Sequence, residues 1–222
     1  EIMSNSLTKA AYYEKTESYP ASRCVRIMNP LSADLNVMRQ TLLFNALEAV
    51  ELNVNHRNAD LKLFEMGNCY YFHPEVEQGE NPLARYSESY RIGIAVTGLD
   101  AAPSWNQKAA KASFYTLRAT VEKLLRRFGI DLYTLRGESS QSDLYSDAIA
   151  YTQGPRTVVE MGIVAPEILR RFDLKQPVYF AEIDFDLIVR AAKKQRIVVE
   201  ELSRFPEVKR DLAMLVDNGV SF

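Results

Sequence analysis

The stretch from Asn29 to Phe72 constrains this chain more than any other. It opens with Asn29-Pro30-Leu31-Ser32. Pro30 fixes φ and lacks an amide donor, which suits an extended entry into a helix, and Ser32 has a side chain able to cap one. With Ser32 at the N-cap, Asp34 falls in the first turn, where the helix dipole favours negative charge, and His56 and Arg57 fall in the last turn, where it favours positive charge. Between these ends Met38, Leu42, Leu43, Ala46, Leu47, Val50 and Val54 recur at spacings of three and four, one wide apolar stripe that has to be buried. Phe44 and Leu52 lie off that stripe, so a second packing partner is expected, either another part of the chain or another subunit. A short polar turn leads into Leu61-Lys62-Leu63-Phe64-Glu65-Met66-Gly67, and alternation through Phe72 puts Leu63, Glu65, Gly67 and Cys69 on one face and Phe64, Met66, Asn68 and Tyr70 on the other. Glu65 thus sits in an otherwise apolar strand, where a carboxylate needs hydrogen bonds or a cation. Arg39 or a backbone donor would satisfy it.

Asn29-Pro30-Leu31-Ser32, Val37-Met38-Arg39 and Leu63-Phe64-Glu65-Met66-Gly67 together resemble the catalytic-like module of bacterial phenylalanyl-tRNA synthetase β subunits. The similarity covers nearly the whole chain. Ser203 to Asp217 is similar to the opening of the ferredoxin-like anticodon-binding domain that closes that subunit. The resemblance implies an α+β fold, a class II aminoacyl-tRNA synthetase-like antiparallel sheet flanked by helices, in a non-catalytic copy. It implies a catalytic-like module at 1–200, and at 201–222 a linker with the first strand of a truncated anticodon-binding domain. The long helix and following strand correspond to the class II interface motif, so Asn29, Pro30, Arg39, Phe44 and Leu52 are expected at a contact with the catalytic α subunit of an α2β2 enzyme. Glu65 is the candidate for a vestigial amino-acid or ATP site, and Arg204, Lys209 and Arg210 are the candidates for tRNA contact. ATP and Mg2+ belong to the whole enzyme, with no cofactor expected in this segment.

At 222 residues the chain can bury one substantial core, or one domain and part of another. It lacks an initiator Met and stops just after Asp217-Asn218-Gly219, so it is expected to be a piece of something longer. A formal charge of −2 gives no global attraction to phosphate, so nucleic-acid binding would need a local patch. The densest basic run, Lys193-Lys194-Gln195-Arg196, reads as a solvated helix end. Cys24, Cys69, His56 and His73 have no zinc-ligand spacing, and two lone cysteines fit a reducing compartment. No apolar run approaches the roughly 18 residues of a membrane span and no signal-peptide pattern opens the chain, so a cytoplasmic protein without membrane contact is expected.

Along the rest of the chain, Ile2 to Leu7 reads as a short strand, Lys9 to Lys15 as a helical turn, and Arg23 to Met28 as a half-buried strand. His73 to Ser87 is a loop, Tyr90 to Gly98 a buried strand, and Trp105 an anchor for the loop that follows. Ser113 to Phe128 predicts an amphipathic helix with Phe114, Leu117, Val121, Leu124, Leu125 and Phe128 on one face and Gly129 as its stop. Asp131–Arg136, Ala148–Thr152, Thr157–Val164 and Val178–Asp184 are β-prone. Pro166 to Phe172 reads as a helical turn, and Asp186 as the cap of a last helix through Lys194.

The common catalytic signatures are missing: no Walker sequence, Gly-x-Gly-x-x-Gly, Gly-x-Ser-x-Gly or His-Glu-x-x-His occurs. Active class II synthetases present a late glycine-rich strand ending in an Arg that steadies ATP phosphates. By the resemblance, Phe180-Ala181-Glu182-Ile183-Asp184-Phe185-Asp186 stands there instead, and its acids would repel a triphosphate. Asp184 and Asp186, two apart, are also a candidate metal pair, though Asp186 suits a helix cap. Two other readings remain, an independent class II-type ATP-dependent ligase and an unrelated α+β binding module. The missing phosphate-binding Arg speaks against the first, and the joint occurrence of the two resembling blocks against the second.

Overall fold

Short elements come first. β1 (Leu7–Thr8) pairs antiparallel with β2 (Val37–Met38), and 3-10 turns occupy Ala10–Tyr12 and Ala21–Arg23 between them. α1 (Leu43–Asn55) then leads to a long hairpin of β3 (Leu61–Phe72) and β4 (Tyr86–Thr97). β5 (Leu99–Ala101) and β6 (Ala110–Lys111) form a separate two-stranded arm before α2 (Phe114–Arg127). β7 (Arg136–Ser139), β8 (Tyr145–Gln153), β9 (Arg156–Val164), α3 (Pro166–Arg171), β10 (Val178–Asp184) and α4 (Phe185–Lys193) complete the order. This is a computed structural model, and it describes residues 1–30, 32, 34–77, 79–193, 204–217 and 219. None of its helices is long and apolar enough to cross a membrane.

The main sheet has six antiparallel strands in the order β3-β4-β10-β9-β8-β7. Alternation along each strand feeds two cores, one on either face. On one face Leu43, Phe44, Leu47 and Val50 of α1 pack with Leu61, Cys69, Ala95 and Phe180. On the other, Leu117, Val121 and Leu125 of α2 pack with Ile92, Ile94, Ala181 and Ile183. The α2 face expected from the sequence is thus the buried one, and Ser113 and Thr116 form a reciprocal capping box at its start. Gly129 takes φ 77°, the left-handed conformation that ends a helix most easily at glycine.

Several expected elements fold differently. The long helix begins at Leu43, not after Ser32, because Val37 and Met38 are drawn into pairing with β1 and Arg26. Ser32 Oγ accepts the local Asp34 amide at 3.1 Å rather than capping α1, and Met38 is not on the helix. At the other end His56 is the C-cap residue and Arg57 lies beyond it at φ 63°. Arg23–Met28 makes a single bridge at Arg26, and Asp131–Arg136 is mostly a 3-10 turn over Leu132–Thr134. α4 begins at Phe185, capped by Asp184, whose Oδ1 accepts the Leu187 amide at 3.0 Å, so Asp186 lies inside the first turn. The described part of the Ser203–Asp217 strand, residues 204–217, is exposed and forms neither helix nor strand. No described strand pairs with it, and a lone strand leaves its backbone groups to water. Lys194-Gln195-Arg196 and Ser203 lie outside the described residues.

Candidate functional site

The register of the sheet sets three glutamates in one row. Glu65 on β3 and Glu182 on β10 both oppose Gly93 of β4, and Glu182 in turn opposes Glu160 of β9. Directly opposed like charges in a sheet are unfavourable, so each carboxylate needs its own remedy.

Glu65 takes a cation. Arg39 Nη1 donates to Glu65 Oε1 at 2.6 Å with both side chains buried, while Arg39 Nε donates to the Asn68 carbonyl at 2.9 Å. The backbone amide and hydroxyl of Ser4 complete the shell around the carboxylate. The approach depends on Gly67, where a Cβ would come within 2.1 Å of Arg39 Nη2. The expected Arg39–Glu65 pairing is therefore present, and it locks the N-terminal segment to the edge of β3.

Glu182 takes a helix end. It is 4% exposed, and its Oε1 accepts from the Leu42 amide at 2.7 Å and from Thr41 Oγ1 at 2.9 Å, at the N-terminus of α1. Unpaired amides and the helix dipole make that position favourable to an anion. The negative charge expected from Asp34 thus comes from β10 instead. Gly93 makes room: a Cβ there would lie 3.1 Å from Leu42 Cβ. Tyr19 Oη donates to the second Glu182 oxygen at 3.2 Å, and burial together with Glu182 pushes the Tyr19 hydroxyl well above its ordinary pKa, so it remains a neutral donor.

Glu160 accepts from Ser140 Oγ, and burial and the facing Glu182 push its carboxyl above its ordinary value. Arg91 stands between the acids. Its Nη2 lies 3.7 Å from Asp184 Oδ2, and although burial opposes the charged form, Glu182 and its neighbours hold the guanidinium pKa above its ordinary value. Tyr19, Tyr71, Arg91, Ser142, Glu160 and Glu182 border a cavity of about 310 Å³ on this face. Its charged lining is two carboxylates to one guanidinium, which disfavours a polyanion.

The other expected site residues scatter. Phe44, expected at an interface, is 0% exposed and stacks among Tyr12, Tyr13 and Phe172 with ring centroids 5.2, 5.2 and 6.4 Å away. Aromatic neighbours from the N-terminal turn and the end of α3 supply the second partner that its off-stripe position demanded. Arg39 is also buried, which removes it from any surface contact. Asn29 and Pro30 are exposed, and Leu52 is 60% exposed. Arg204, Lys209 and Arg210 lie in the exposed 204–217 stretch. Asp184 and Asp186 do not converge, since Asp186 Oδ2 accepts the Tyr90 amide at 3.2 Å, and no cluster among the described residues could hold a metal ion. Cys24 and Cys69 are buried free thiols whose pKa values burial raises. Trp105 is 96% exposed, so it does not anchor its loop in the core of the described residues. Sequence reasoning missed Glu160, Arg91 and Tyr19, since strand register brings the first two to Glu182 and the path of the N-terminal loop across the sheet brings the third.

The family described as the phenylalanyl tRNA synthetase beta chain CLM domain matches residues 1–185. Among curated relatives, the phenylalanine–tRNA ligase beta subunits of Bacteroides thetaiotaomicron and Bacteroides fragilis are 44% and 45% identical over 223 aligned residues, and that of Porphyromonas gingivalis is 43% identical over 225. All of this chain is covered, but it spans only 27% of the length of each of these relatives. Among solved structures, a pyrrolysyl tRNA synthetase from Desulfitobacterium hafniense superposes with a TM-score of 0.61 at 13% identity, over 86% of this chain and 62% of that one. At that identity the likeness concerns the fold alone, an α+β arrangement built on an antiparallel sheet.

Proposed function

The chain belongs to the family of the phenylalanyl-tRNA synthetase β-chain CLM domain, and from that premise we propose that it is a non-catalytic structural module of a phenylalanine–tRNA ligase β subunit. In this reading it assembles with a catalytic α subunit in an α2β2 enzyme that uses ATP and Mg2+ to attach phenylalanine to its tRNA in the cytoplasm. Residues 1–200 are the module and 201–222 lead into an anticodon-binding domain, with Arg204, Lys209 and Arg210 as its candidate tRNA contacts.

The observation that carries the non-catalytic part is Glu182. Its carboxylate faces the cavity on the sheet, already holds the start of α1, and has Glu160 opposite. A triphosphate entering there would meet negative charge at short range. The cavity is thus suited to holding the fold together, and Glu65, consumed by Arg39, is no free catalytic carboxylate. Incubation of the chain with ATP, phenylalanine and labelled pyrophosphate is expected to give no exchange above a no-enzyme blank. Phenylalanine-dependent exchange would overturn the reading and favour an independent ligase.

The contact with the α subunit moves away from Phe44. Phe64 and Met66, two apart on one face of edge strand β3, are both exposed, and the Ile2 amide bonds the Phe64 carbonyl beside them at 2.9 Å. With Leu52, Asn29 and Pro30 they are the proposed contact residues. Sedimentation of the chain with the α subunit is expected to show a complex that Phe64→Asp weakens. Unchanged association would exclude this edge.

A further inference from the structure

The sequence turns between β5 and β6 at Ser104-Trp105-Asn106-Gln107. Ser104 and Gln107 exchange both backbone hydrogen bonds, at 2.9 and 3.3 Å, so Trp105 and Asn106 are the two residues of a tight hairpin turn. Ser104 Oγ bonds Asn106 Oδ1 at 2.8 Å and stiffens the tip. The base of the arm is fastened as well: the Leu99 amide donates to Asp60 Oδ1 at 2.7 Å, and Lys62 Nζ meets Asp100 Oδ1 at 2.6 Å. A projecting, braced hairpin therefore presents the chain's one tryptophan with its ring in solvent.

We propose that this arm is a stacking platform for a base of single-stranded nucleic acid, with Trp105 as the platform and Lys108 and Lys111 as contacts to the flanking phosphates. An indole face accepts any base, and the braced turn holds the backbone that carries it at the tip of the arm. Lys62 takes up the one acid of the arm, Asp100, and neither Lys108 nor Lys111 has an ion pair among the described residues. The arm is thus a local basic and aromatic patch on a chain whose net charge is −2. Asn106 and Gln107 add amides beside the ring that can meet base edges. A protein partner is the weaker match. Apart from Leu99 at its base, the arm offers beside Trp105 only Ala101, Ala102, Pro103, Ala109 and Ala110, whereas a protein interface surrounds its aromatic anchor with an apolar patch.

Because the 222-residue chain has one tryptophan, its fluorescence reports on the site directly. Titration with a short single-stranded oligo(A) is expected to quench the emission to saturation. By anisotropy of a labelled oligo(A), Trp105→Ala should weaken binding about 5- to 150-fold, the range typical of losing one stacked base, while Trp105→Phe retains most of the affinity. Lys108→Ala with Lys111→Ala should lower the slope of log K against log salt by about 1.4, the value for two phosphate contacts on a single strand. Absence of quenching overturns the proposal, as does an affinity unchanged in Trp105→Ala. So does a Trp105→Ala chain that binds oligo(A) normally but associates less with the α subunit, which would make the arm a protein contact.

Discussion

Glu65 and Glu182 occupy the same row of the sheet with Gly93 between them, and they are stabilised by different chemistry. Glu65 meets a guanidinium from the same sequence block, whereas Glu182 meets backbone and hydroxyl donors at a helix start on the far side of the chain. An ion pair concentrates its stabilisation in two side chains, each of which becomes a buried, unpaired charge if the other is lost. Helix-end donors are fixed by the fold and spread over several groups, so loss of the Glu182 charge leaves no charged donor at the helix start, and Arg91 nearby keeps Asp184 as a counter-charge.

That contrast predicts a graded set of effects. The largest belongs to Arg39→Met, which strands the Glu65 carboxylate and should cost about 3–5 kcal/mol in a urea melt. The double variant Arg39→Met/Glu65→Leu should recover much of the loss; if the double is as unstable as the single, the pair is not the reason for the cost. Glu65→Gln comes next at about 1–3 kcal/mol, since Ser4 keeps an acceptor while Arg39 loses its counter-charge. For Glu182→Gln about 1–2 kcal/mol is expected, because an amide oxygen still accepts from Leu42 and Thr41 and Arg91 keeps Asp184, so what is lost is the charge at the helix end and part of the support for Arg91. A cost above that of Arg39→Met would reverse the comparison.

The smallest effect is at Glu160, and it is read from pH. Its pKa is raised in the folded chain by burial, with Glu182 adding to it. The folded state then holds the proton more tightly than the unfolded state, so its contribution to stability is fully present below the ordinary value of 4.5 and is lost as pH rises through the folded value. Glu160→Gln should therefore be near neutral or slightly stabilising at pH 7 and should flatten the stability profile across that window. An unaltered profile would mean that Glu160 does not titrate in this way. Asp143 runs oppositely: burial opposes its charge, but donors from Ser18 and Glu17 outweigh it and lower its pKa, so its contribution is lost as pH falls.

Much of this was legible in the residues. Alternation fixed the faces of β3, so Glu65 was identified as a carboxylate in need of a partner, and Arg39 was a correct candidate. The 3.6-residue period gave α2, with Ser113 and Gly129 marking its ends, and the run Val178–Asp184 coincides with β10. Both rest on local periodicity, which side-chain burial on one face imposes wherever the element ends up. The departures come from interactions between distant segments. Met38 satisfies the helical spacing, yet strand pairing of Val37 and Met38 with Thr8 and Leu7 takes their backbone groups and moves the helix start to Leu43. Phe44 lay off the stripe and suggested a surface, but Tyr12 and Phe172, more than a hundred residues apart in sequence, close over it. Trp105 failed in the other direction, since nothing in an isolated hairpin sequence tells whether a core lies within its reach. The sequence by itself determined that β3 and β10 are strands and α2 a helix, and which faces of β3 and α2 are apolar, because those follow from bonds and burial a few residues apart. Tertiary structure alone decided that Glu182 caps α1 and opposes Glu160, because strand order and register set the neighbours of a side chain and no local pattern encodes them.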